Sequence, residues 1–511
     1  MILPVLAMLV TGVPPAGADP HEPTEPPVNI VVVMVDDLGW QDVSVPHHRT
    51  RTPLNDRYHT PNLERLAAEG VVLTDGYASA PVCTPTRASL LTGRSPARNR
   101  ITYWVFERDR DTTAANPRLD PPDWQVNGLA PDPGLLPERL RRRGYRTIHV
   151  GKAHWGAHDT PGGDPRRLGF DVNVAGHASG APGSYLGRHR FMQSRDPADF
   201  SRTSRWDVPG LEAFHDRDVY LTEALAERAV EEVDQAVLAG QPFFLHFAPY
   251  AVHTPIMANP AHLERYRGLH PREAAYASMI ESVDVALGRL LAALDRHGIA
   301  DRTLVVFTSD NGGLSAHARG GEPHRHNRPL RSGKGSAYEG GLRVPWVVRW
   351  PGVAGAGRRI AQPVVTHDLY PTILAAAGAG ADASTEAVLD GADLAPLLES
   401  AGPDPGLEDR VILFHQPHTW GARGPGIEPF SAIRWREWKL IYFHQDRRFE
   451  LYDLAADPGE SRDLSGTDGA PLQPMIARLA EALRENRAQM SLDAVSGRPV
   501  DWPDAAALSS G

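Results

Sequence analysis

The chain has 511 residues, of which 41% are hydrophobic and 23% charged, so it is long enough for more than one globular domain. Its formal net charge of −10 argues against general affinity of the whole surface for nucleic acid or other polyanions. An internal disulfide is excluded because the chain has a single cysteine.

The N-terminal segment has the pattern of an export signal. Residues 1–18 are mostly apolar and end in Ala16-Gly17-Ala18, which resembles a signal-peptide cleavage site, although no basic residue lies near Met1. The alternative is an unstructured start. Residues 19–27 are rich in proline and are predicted to form a linker. Since no later segment has the roughly 20 apolar residues that cross a bilayer, a secreted or periplasmic protein without a membrane span is expected.

Four short runs along the chain have the character of buried parallel strands: residues 29–35, 145–150, 243–247 and 303–307. Apolar runs of this length, mostly rich in β-branched residues, suit a sheet that is covered on both faces. Each run is followed by polar residues that could carry chemistry, among them Asp36, Lys152, His253 and Asp310.

Two amphipathic helices are predicted between these strands. Apolar residues recur at helical spacing over residues 221–237 and 280–294, and Gly240 and Gly298 are placed as C-terminal stops. Strands that alternate with helices predict a doubly wound α/β fold with a large, mostly parallel sheet. Because ligands of such folds bind beyond the carboxyl ends of the strands, the polar residues after the four strands are expected to share one site.

The chain changes character after a stretch rich in glycine and alanine at residues 375–383. Residues 438–443 and 449–453 alternate and contain aromatic side chains, which predicts antiparallel strands, and residues 472–489 are predicted to be helical. We therefore expect a catalytic α/β domain over residues 28–383 and a smaller C-terminal α+β region over residues 384–492. Residues 493–511 are expected to form a loose tail.

Two pairs of oxygen-bearing side chains follow the first and fourth predicted strands. Asp36 and Asp37 are adjacent carboxylates that would raise each other's pKa in a cleft without a cation. Asp310 and Asn311 offer further oxygen ligands from a parallel position. Such ligands suit Ca²⁺, or less well Mg²⁺, rather than zinc. One such pair alone is typical of a turn or helix cap, whereas two pairs at strand ends predict a metal site.

The only cysteine lies in the segment Cys83-Thr84-Pro85-Thr86-Arg87, which is followed by Leu91-Thr92-Gly93-Arg94. A lone buried cysteine commonly acts as a small hydrophobe, but this one is followed by small, polar and basic residues rather than by an apolar run. The spacing resembles the signature of the formylglycine-dependent (type I) sulfatases of the alkaline phosphatase-like superfamily. In that family the cysteine is oxidised to formylglycine.

Further motifs extend the resemblance from about residue 29 to residue 464. Residues 151–156 resemble the family's Gly-Lys-x-His motif, residues 251–255 its His-x-Pro segment, and residues 332–345 the segment with its second lysine. Residues 450–460 match another family hallmark, one without a direct catalytic role. As a set in the family's order, these motifs are specific.

The resemblance implies a fold, a modified residue and a metal. The fold would be alkaline phosphatase-like, and a maturation enzyme would convert Cys83 to formylglycine, whose hydrated aldehyde attacks sulfate esters. One calcium ion would be bound by Asp36, Asp37, Asp310, Asn311 and the modified Cys83.

The resemblance also implies roles for basic residues. Arg87 would anchor the modified residue, while Lys152, His253 and Lys334 would hold the sulfate. His253 or Lys334 could protonate the departing oxygen, and Asp310 would accept the proton of the nucleophile. His154 would take a proton from the second hydroxyl and thereby release sulfate.

Substrate choice is expected to come from loops around the pocket, for which the candidates are Tyr103, Trp104, Arg108, His317, Arg319, His324 and Arg325. Export together with a sulfatase site predicts a sulfated polysaccharide or its oligosaccharides as substrate, attracted by a locally basic pocket.

Two alternative functions stay open. One is a phosphonate or phosphodiester hydrolase of the same superfamily, and the other is a catalytically silent carbohydrate-binding protein with Cys83 unmodified.

Overall fold

The computed structural model describes residues 27–316, 319, 322–379, 389–400, 402–421 and 424–509. The predicted signal peptide, nearly all of the predicted linker, and His317 lie outside the described residues. So does the boundary at residue 383 between the two predicted parts, which stays a prediction. Within the described part of the chain, no helix is both long and apolar enough to cross a membrane.

The strands, in chain order, are β1 (Asn29–Val35), β2 (Val71–Leu73), β3 (Gly76–Tyr77), β4 (Leu119–Asp120), β5 (Arg146–Gly151), β6 (Val172–Val174), β7 (Phe243–Ala248), β8 (Thr303–Ser309), β9 (Val347–Arg349), β10 (Arg358–Ile360), β11 (Val364–Val365), β12 (Val411–Gln416), β13 (Phe430–Trp435), β14 (Trp438–Phe443), β15 (Arg448–Asp453) and β16 (Leu492–Asp493).

The α-helices are α1 (Pro53–Arg57), α2 (Pro61–Glu69), α3 (Cys83–Thr92), α4 (Pro96–Asn99), α5 (Leu136–Arg142), α6 (Leu221–Leu238), α7 (Pro260–Leu263), α8 (Pro271–Arg296), α9 (Glu339–Leu342), α10 (Leu369–Ala376), α11 (Ala395–Glu399), α12 (Pro405–Glu408), α13 (Leu472–Glu485) and α14 (Pro503–Ser509). Short 3₁₀ helices are Pro161–Gly163, Pro165–Leu168, Gly187–His189, Pro197–Asp199, Glu212–Phe214, Glu264–Tyr266, Ala300–Arg302 and Thr366–Asp368.

The central sheet has eight strands in the order β10-β2-β9-β8-β1-β7-β5-β6. The four strands predicted from the sequence are its neighbouring members β8, β1, β7 and β5, and they pair in parallel. Only β9 runs antiparallel to its neighbours within this sheet. Because the four parallel strands are adjacent, their carboxyl ends form one continuous edge, as the sequence predicted.

Helices cover both faces of this sheet. Val31, Val33 and Val35 of β1 belong to one buried core, which also contains apolar residues of α2, α6 and α8. The intervening Ile30, Val32 and Met34 belong to a second core, with residues of α3, α5, α10 and α11. Successive side chains of a strand point to opposite faces, so a strand that is apolar throughout requires a cover on each side. The predicted doubly wound α/β fold is therefore confirmed.

The C-terminal part contains the predicted antiparallel sheet, with its strands in the order β12-β13-β14-β15. One face packs against α13, whose buried residues include Met475, Leu479 and Leu483. This helix ends at Glu485, earlier than predicted, because the chain turns and Arg487 adopts a left-handed conformation with φ +51°. Helix α8 begins at Pro271, earlier than predicted, because residues 271–279 include three alanines and several polar residues and therefore lack the leucine-rich stripe of residues 280–294.

The segment predicted to be a loose tail is ordered over its described residues. Strand β16 pairs with β4, and α14 packs on the C-terminal core through Ala506. Helix α14 has only seven residues, three of which are alanine, so no apolar stripe marks its buried face in the sequence.

A buried group of charges joins the C-terminal sheet to the main part of the chain. The Lys439 amine, on β14, lies 2.9 Å from a carboxylate oxygen of Glu339 on α9 and 2.8 Å from one of Glu460. All three side chains are inaccessible to solvent. Burial raises the pKa of Glu460 to about 7, with Lys439 acting against this shift and Glu339 adding to it.

Replacing Glu460 by glutamine is expected to flatten the pH dependence of stability. The pKa of Glu460 is about 7 in the folded protein and near its ordinary 4.5 in the unfolded chain, so the folded state keeps a proton across this window. The wild type therefore loses unfolding free energy as pH rises from about 5 to 7, and Glu460→Gln removes that part of the loss. The variant's Tm minus that of wild type should increase from pH 5 to pH 8. A difference independent of pH would contradict this assignment.

Candidate active site

The predicted site residues converge at the carboxyl edge of the four parallel strands. The chain leaves each strand directly into a segment that carries them: Asp36 and Asp37 after β1, Lys152 and His154 after β5, His253 after β7, and Asp310 and Asn311 after β8. Lys334 comes from the segment before α9, and Cys83 and Arg87 from α3. The structure thus brings together every residue that the sequence singled out for catalysis or metal binding.

Cys83 is the first residue of α3 and lies at the base of an open pocket. Its Sγ is 3.8 Å from Oδ1 of Asp36, and the residue is 3% exposed. Burial raises the pKa of the Cys83 thiol to about 12, although Lys152 and Lys334 act in the opposite direction. An unmodified Cys83 is therefore a neutral thiol at physiological pH and a poor nucleophile.

Three carboxylates and three cations are paired around Cys83. The Lys152 amine lies 2.7 Å from Asp36, and the Lys334 amine lies 2.7 Å from Asp37. Nε of Arg87 donates to a carboxylate oxygen of Asp310 at 2.8 Å. Each of the six side chains is at most 6% exposed. Such charges are tolerated in the interior because each has a partner.

The three carboxylates differ in their electrostatic environment. Burial raises the pKa of Asp36, with Lys152 opposing the shift and Asp310 and Asp37 adding to it. Burial alone would also raise the pKa of Asp37, but Lys334 and other positive groups hold it below its usual value. The pKa of Asp310 is likewise lowered against burial, chiefly by Arg87. Asp37 and Asp310 are therefore ionised, as metal ligands must be.

Two features of this cluster fit a hard metal ion. Ligand atoms of Asp36, Asp37, Cys83 and His253 lie within 4.8 Å of one another. Asn311 donates through Nδ2 to Asp37 at 2.7 Å, while its buried Oδ1 has no hydrogen-bond partner among the described residues. A buried amide oxygen without a partner is costly unless a cation or water satisfies it. Together with the carboxylates it forms an oxygen-rich donor set of the kind that Ca²⁺ prefers.

The two histidines of the site are held as neutral rings. Burial lowers the pKa of His154 well below its usual value, and Lys152 lowers it further. Its Nε2 lies 2.9 Å from the carbonyl oxygen of Val105 and donates to it, so the buried Nδ1 is left as an acceptor without a partner among the described residues. Burial and Lys334 lower the pKa of His253 to about 3. Its Nε2 lies 3.6 Å from Asp37.

Glycines allow the loops to approach these side chains closely. A Cβ at Gly180 would lie 2.5 Å from the His154 ring, and a Cβ at Gly335 would lie 1.9 Å from the Trp420 indole. The amide of Gly335 also donates to the carbonyl of Pro81 at 2.8 Å, which ties the Lys334 segment to the segment before Cys83. Larger residues at these two positions would displace the site.

The pocket above Cys83 has a volume of about 540 Å³. His154 and His253 line its base, and three half-buried tryptophans line its walls: Trp104, Trp206 and Trp420. Trp206 stacks on Phe106 with ring centroids 4.5 Å apart, and the Lys334 amine lies 5.5 Å from the Trp420 ring centroid. Half-buried aromatic rings around a polar base suit a flat ring substrate with an anionic group.

Of the residues proposed to choose the substrate, the structure places only Trp104 in the described pocket wall. Tyr103 is buried and donates to the carbonyl of Thr419, and Arg319 is buried against Asp42. Both side chains therefore have structural roles. The sequence prediction was wrong for them because residue type alone does not show whether a loop side chain points into the protein interior or into the pocket. Arg325 pairs with Glu322 on the surface, and Arg108 and His324 do not line the pocket either.

The residues that the sequence reasoning missed are Trp206, Trp420, Gln193 and Arg195, which also line the pocket. They come from irregular segments far apart in the chain, so no periodicity or motif marked them. The only available signal was the presence of tryptophan in polar loops.

Two family models match parts of the chain. A family model described as Sulfatase matches residues 28–379, which is more than half of the chain. A second model, described as N-sulphoglucosamine sulphohydrolase, C-terminal, matches residues 333–489.

The similarity to known proteins extends over nearly the whole chain. Steryl-sulfatase of Mus musculus is 30% identical, covering 97% of this chain and 88% of its own. N-acetylgalactosamine-6-sulfatase of Rattus norvegicus is 32% identical, with coverages of 98% and 90%. The crystal structure of Ps i-CgsB in complex with k-i-k-neocarrahexaose is 29% identical, with a TM-score of 0.72 and coverages of 90% and 94%. The chain thus belongs to the sulfatase family of the alkaline phosphatase-like superfamily and is a sulfuric ester hydrolase.

Proposed function

We propose that this protein is a secreted or periplasmic sulfatase that removes sulfate from a sulfated glycan, using a formylglycine made from Cys83 and a bound calcium ion. The observation that carries the proposal is the position of Cys83 at the base of an aromatic pocket, within 3.8 Å of Asp36 and surrounded by three paired cations. A neutral thiol in this position is a poor nucleophile, whereas a formylglycine made from Cys83 would present its hydroxyl groups to the pocket.

The proposed calcium ligands are Asp36, Asp37, Asp310, Asn311 and the modified Cys83. Without the ion, Arg87, Lys152 and Lys334 are each paired with a carboxyl group, so little of their positive charge is free to bind an anion. A divalent cation would make the cluster positive and would supply charge that stabilises the sulfate oxygens. The unpartnered Oδ1 of Asn311 supports a site for such an ion.

The modified residue, as a hydrated aldehyde, would supply a nucleophilic hydroxyl and a second hydroxyl on the same carbon. Arg87 is fixed by Asp310 and by the carbonyl of Lys152, and its Nη2 has no partner among the described residues, so it can donate one hydrogen bond at the modified side chain. Asp310, ionised beside Arg87, is the proposed acceptor of the attacking hydroxyl's proton.

The remaining basic residues divide into two proposed roles. Lys152, Lys334 and His253 would hold the sulfate, and the protonated Lys334 amine would donate the proton to the departing sugar oxygen, because His253 is a neutral ring in this site. His154 presents an unprotonated Nδ1 at the base of the pocket, which suits a group that removes the proton of the second hydroxyl and so releases sulfate. A maturation enzyme that oxidises Cys83 is the required partner.

A glycan is the proposed substrate because of the pocket walls and the relatives. Two of the compared proteins have carbohydrate in their descriptions, namely an N-acetylgalactosamine-6-sulfatase and a complex with a neocarrahexaose. Three tryptophans offer flat faces for sugar rings, since C–H groups of a sugar pack well on an aromatic face. Because a steryl-sulfatase is also among the similar proteins, a sulfated steroid should be assayed as the comparison substrate.

Replacing Trp206 by alanine is expected to raise KM for a sulfated oligosaccharide about three- to tenfold with little change in kcat. The Trp206 ring lines the pocket and stacks on Phe106 rather than on a residue of the charged cluster, so we expect its loss to weaken the binding of substrate and transition state alike. Steady-state kinetics on the purified, converted enzyme measure this. Trp206→Phe, which keeps an aromatic face, is the matched control, and a fall in kcat alone would contradict the role in binding.

The proposed function is tested by the product released from a panel of esters. Sulfated oligosaccharides, a sulfated steroid and a phosphonate monoester are incubated with the converted enzyme, and free sulfate or the phosphonate's alcohol is quantified. Release of sulfate from the oligosaccharides at the highest kcat/KM supports the proposal. Preference for the phosphonate or for the steroid would overturn it.

A further inference from the structure

The described residues that line the pocket include one permanently charged side chain, the guanidinium of Arg195. Among the described residues that line it, Arg195 is the only lysine, arginine, aspartate or glutamate. Its side chain is exposed and has no ion pair or hydrogen bond within the described part of the chain. The adjacent carboxylate of Asp196 accepts from the amide of Ala198 at 3.0 Å, so it caps the next 3₁₀ helix instead of pairing with Arg195.

The segment that carries Arg195 is held in place by its neighbours. The backbone amide of Gln193 donates to Asp207 at 2.7 Å, and its side-chain oxygen accepts from the Ser204 hydroxyl at 2.5 Å. Gly183, another pocket residue, donates to the carbonyl of Trp206 at 2.6 Å. The amide NH₂ of Gln193 has no partner among the described residues and is a second donor beside Arg195. These bonds place two donors on the same rim as the Trp206 ring.

Binding of an uncharged sugar does not require an arginine in this position. Hydroxyl groups are satisfied by neutral donors and acceptors, whereas the guanidinium fork matches two oxygens of a carboxylate or a sulfate. In the proposed function the scissile sulfate binds beside Cys83 and His253, which line the buried end of the pocket, and the tryptophans would hold the sugar ring between that end and Arg195. A group that reaches Arg195 is therefore a different group of the same substrate.

We propose that Arg195 binds a second anionic group of the substrate, so that the enzyme prefers sulfate esters of sugars that carry a further sulfate or a carboxylate. This inference rests on the proposed function and names the substrate class of the same site. The shared chemistry is an oxyanion with two equivalent oxygens, and the substrates of the test distinguish its two sources.

The test compares three disaccharides that share one scissile sulfate and differ in the second group: a hydroxyl, a second sulfate, or a carboxylate. Wild type should have the highest kcat/KM for one or both dianionic sugars. Arg195→Ala should reduce the ratio of dianionic to monoanionic kcat/KM about tenfold or more, mainly through KM, because a charge-assisted hydrogen bond is lost. Arg195→Lys should keep part of the preference. Arg188→Ala, at an exposed arginine outside the described pocket lining, is the matched control and should change neither value.

A binding measurement separates failure of this inference from failure of the proposed function. Calorimetry with Cys83→Ala protein, which does not turn over its ligand, measures the affinities for the same three sugars. Weaker binding of the dianionic sugars alone when Arg195→Ala is added supports the inference, whether or not the wild type releases sulfate. Equal affinities for the three sugars, or equal losses for all of them, would overturn it even if the enzyme proves to be an active glycan sulfatase.

Discussion

Cys83→Ala is expected to lower kcat/KM for sulfate-ester hydrolysis by at least about 10⁴-fold, because it removes the side chain from which the proposed nucleophile would be made. The cationic cluster stays in place in this variant, so binding of the sulfated sugar should survive. Alanine also fits the site, since it is smaller than cysteine and loses one polar side-chain contact, that of the thiol with Asp36 at 3.8 Å. Kinetics and a thermal melt of the same preparation measure the two effects.

Two controls make the Cys83→Ala result specific. Ser89→Ala removes one buried atom from the same helix, at a hydroxyl that has no hydrogen-bond partner among the described residues, and should leave activity near wild type. Cys83→Ser supplies a hydroxyl but only one on its carbon, so it should accept sulfate without releasing it. Activity of Cys83→Ala above about 1% of wild type would contradict nucleophilic catalysis at this position.

Asp37→Asn is expected to remove calcium binding and, with it, nearly all activity. Asp37 contacts Lys334, Asn311 and His253, and its ionised form is stabilised there. Loss of groups that merely orient metal ligands costs 10–100-fold in affinity, so loss of a charged ligand should weaken calcium binding more than about 100-fold. Calorimetric titration of metal-free protein with Ca²⁺ gives the affinity directly.

A thermal melt provides an independent readout of the same change. A ligand that binds only the folded state raises Tm, so Ca²⁺ should stabilise wild type and should not stabilise Asp37→Asn at the same concentration. Asp301→Asn, which changes an exposed aspartate far along the chain, is the control and should respond to Ca²⁺ as wild type does. Equal rises of Tm in wild type and Asp37→Asn would place the ion elsewhere.

The central sheet and its chemistry were predictable because they depend on local and strongly patterned features. The β1 segment is apolar on both faces and ends in two aspartates, and both properties are visible in the sequence. Adjacent parallel strands then place Asp36 and Asp310 together without any knowledge of side-chain packing. The motif around Cys83, together with the motifs at residues 151–156, 251–255 and 332–345, supplied the remaining candidate catalytic residues by resemblance.

The substrate pocket was not predictable in the same way. Trp206 and Trp420 reach the same cavity from irregular segments, and their positions depend on contacts such as the one between Gly335 and Trp420. Arg319 shows the opposite case, because a residue expected in the pocket pairs with Asp42 in the interior. The direction of a loop side chain is set by tertiary packing, which a single sequence does not reveal.

The most direct test of the account is the mass of the tryptic peptide 66–87, which contains Cys83 and ends at Arg87. The protein is produced in its native host or together with a maturation enzyme, digested, and analysed by mass spectrometry alongside an assay of sulfate release. The account predicts the mass of the aldehyde in place of the thiol, in proportion to activity. An unmodified thiol in a preparation that releases sulfate would contradict it.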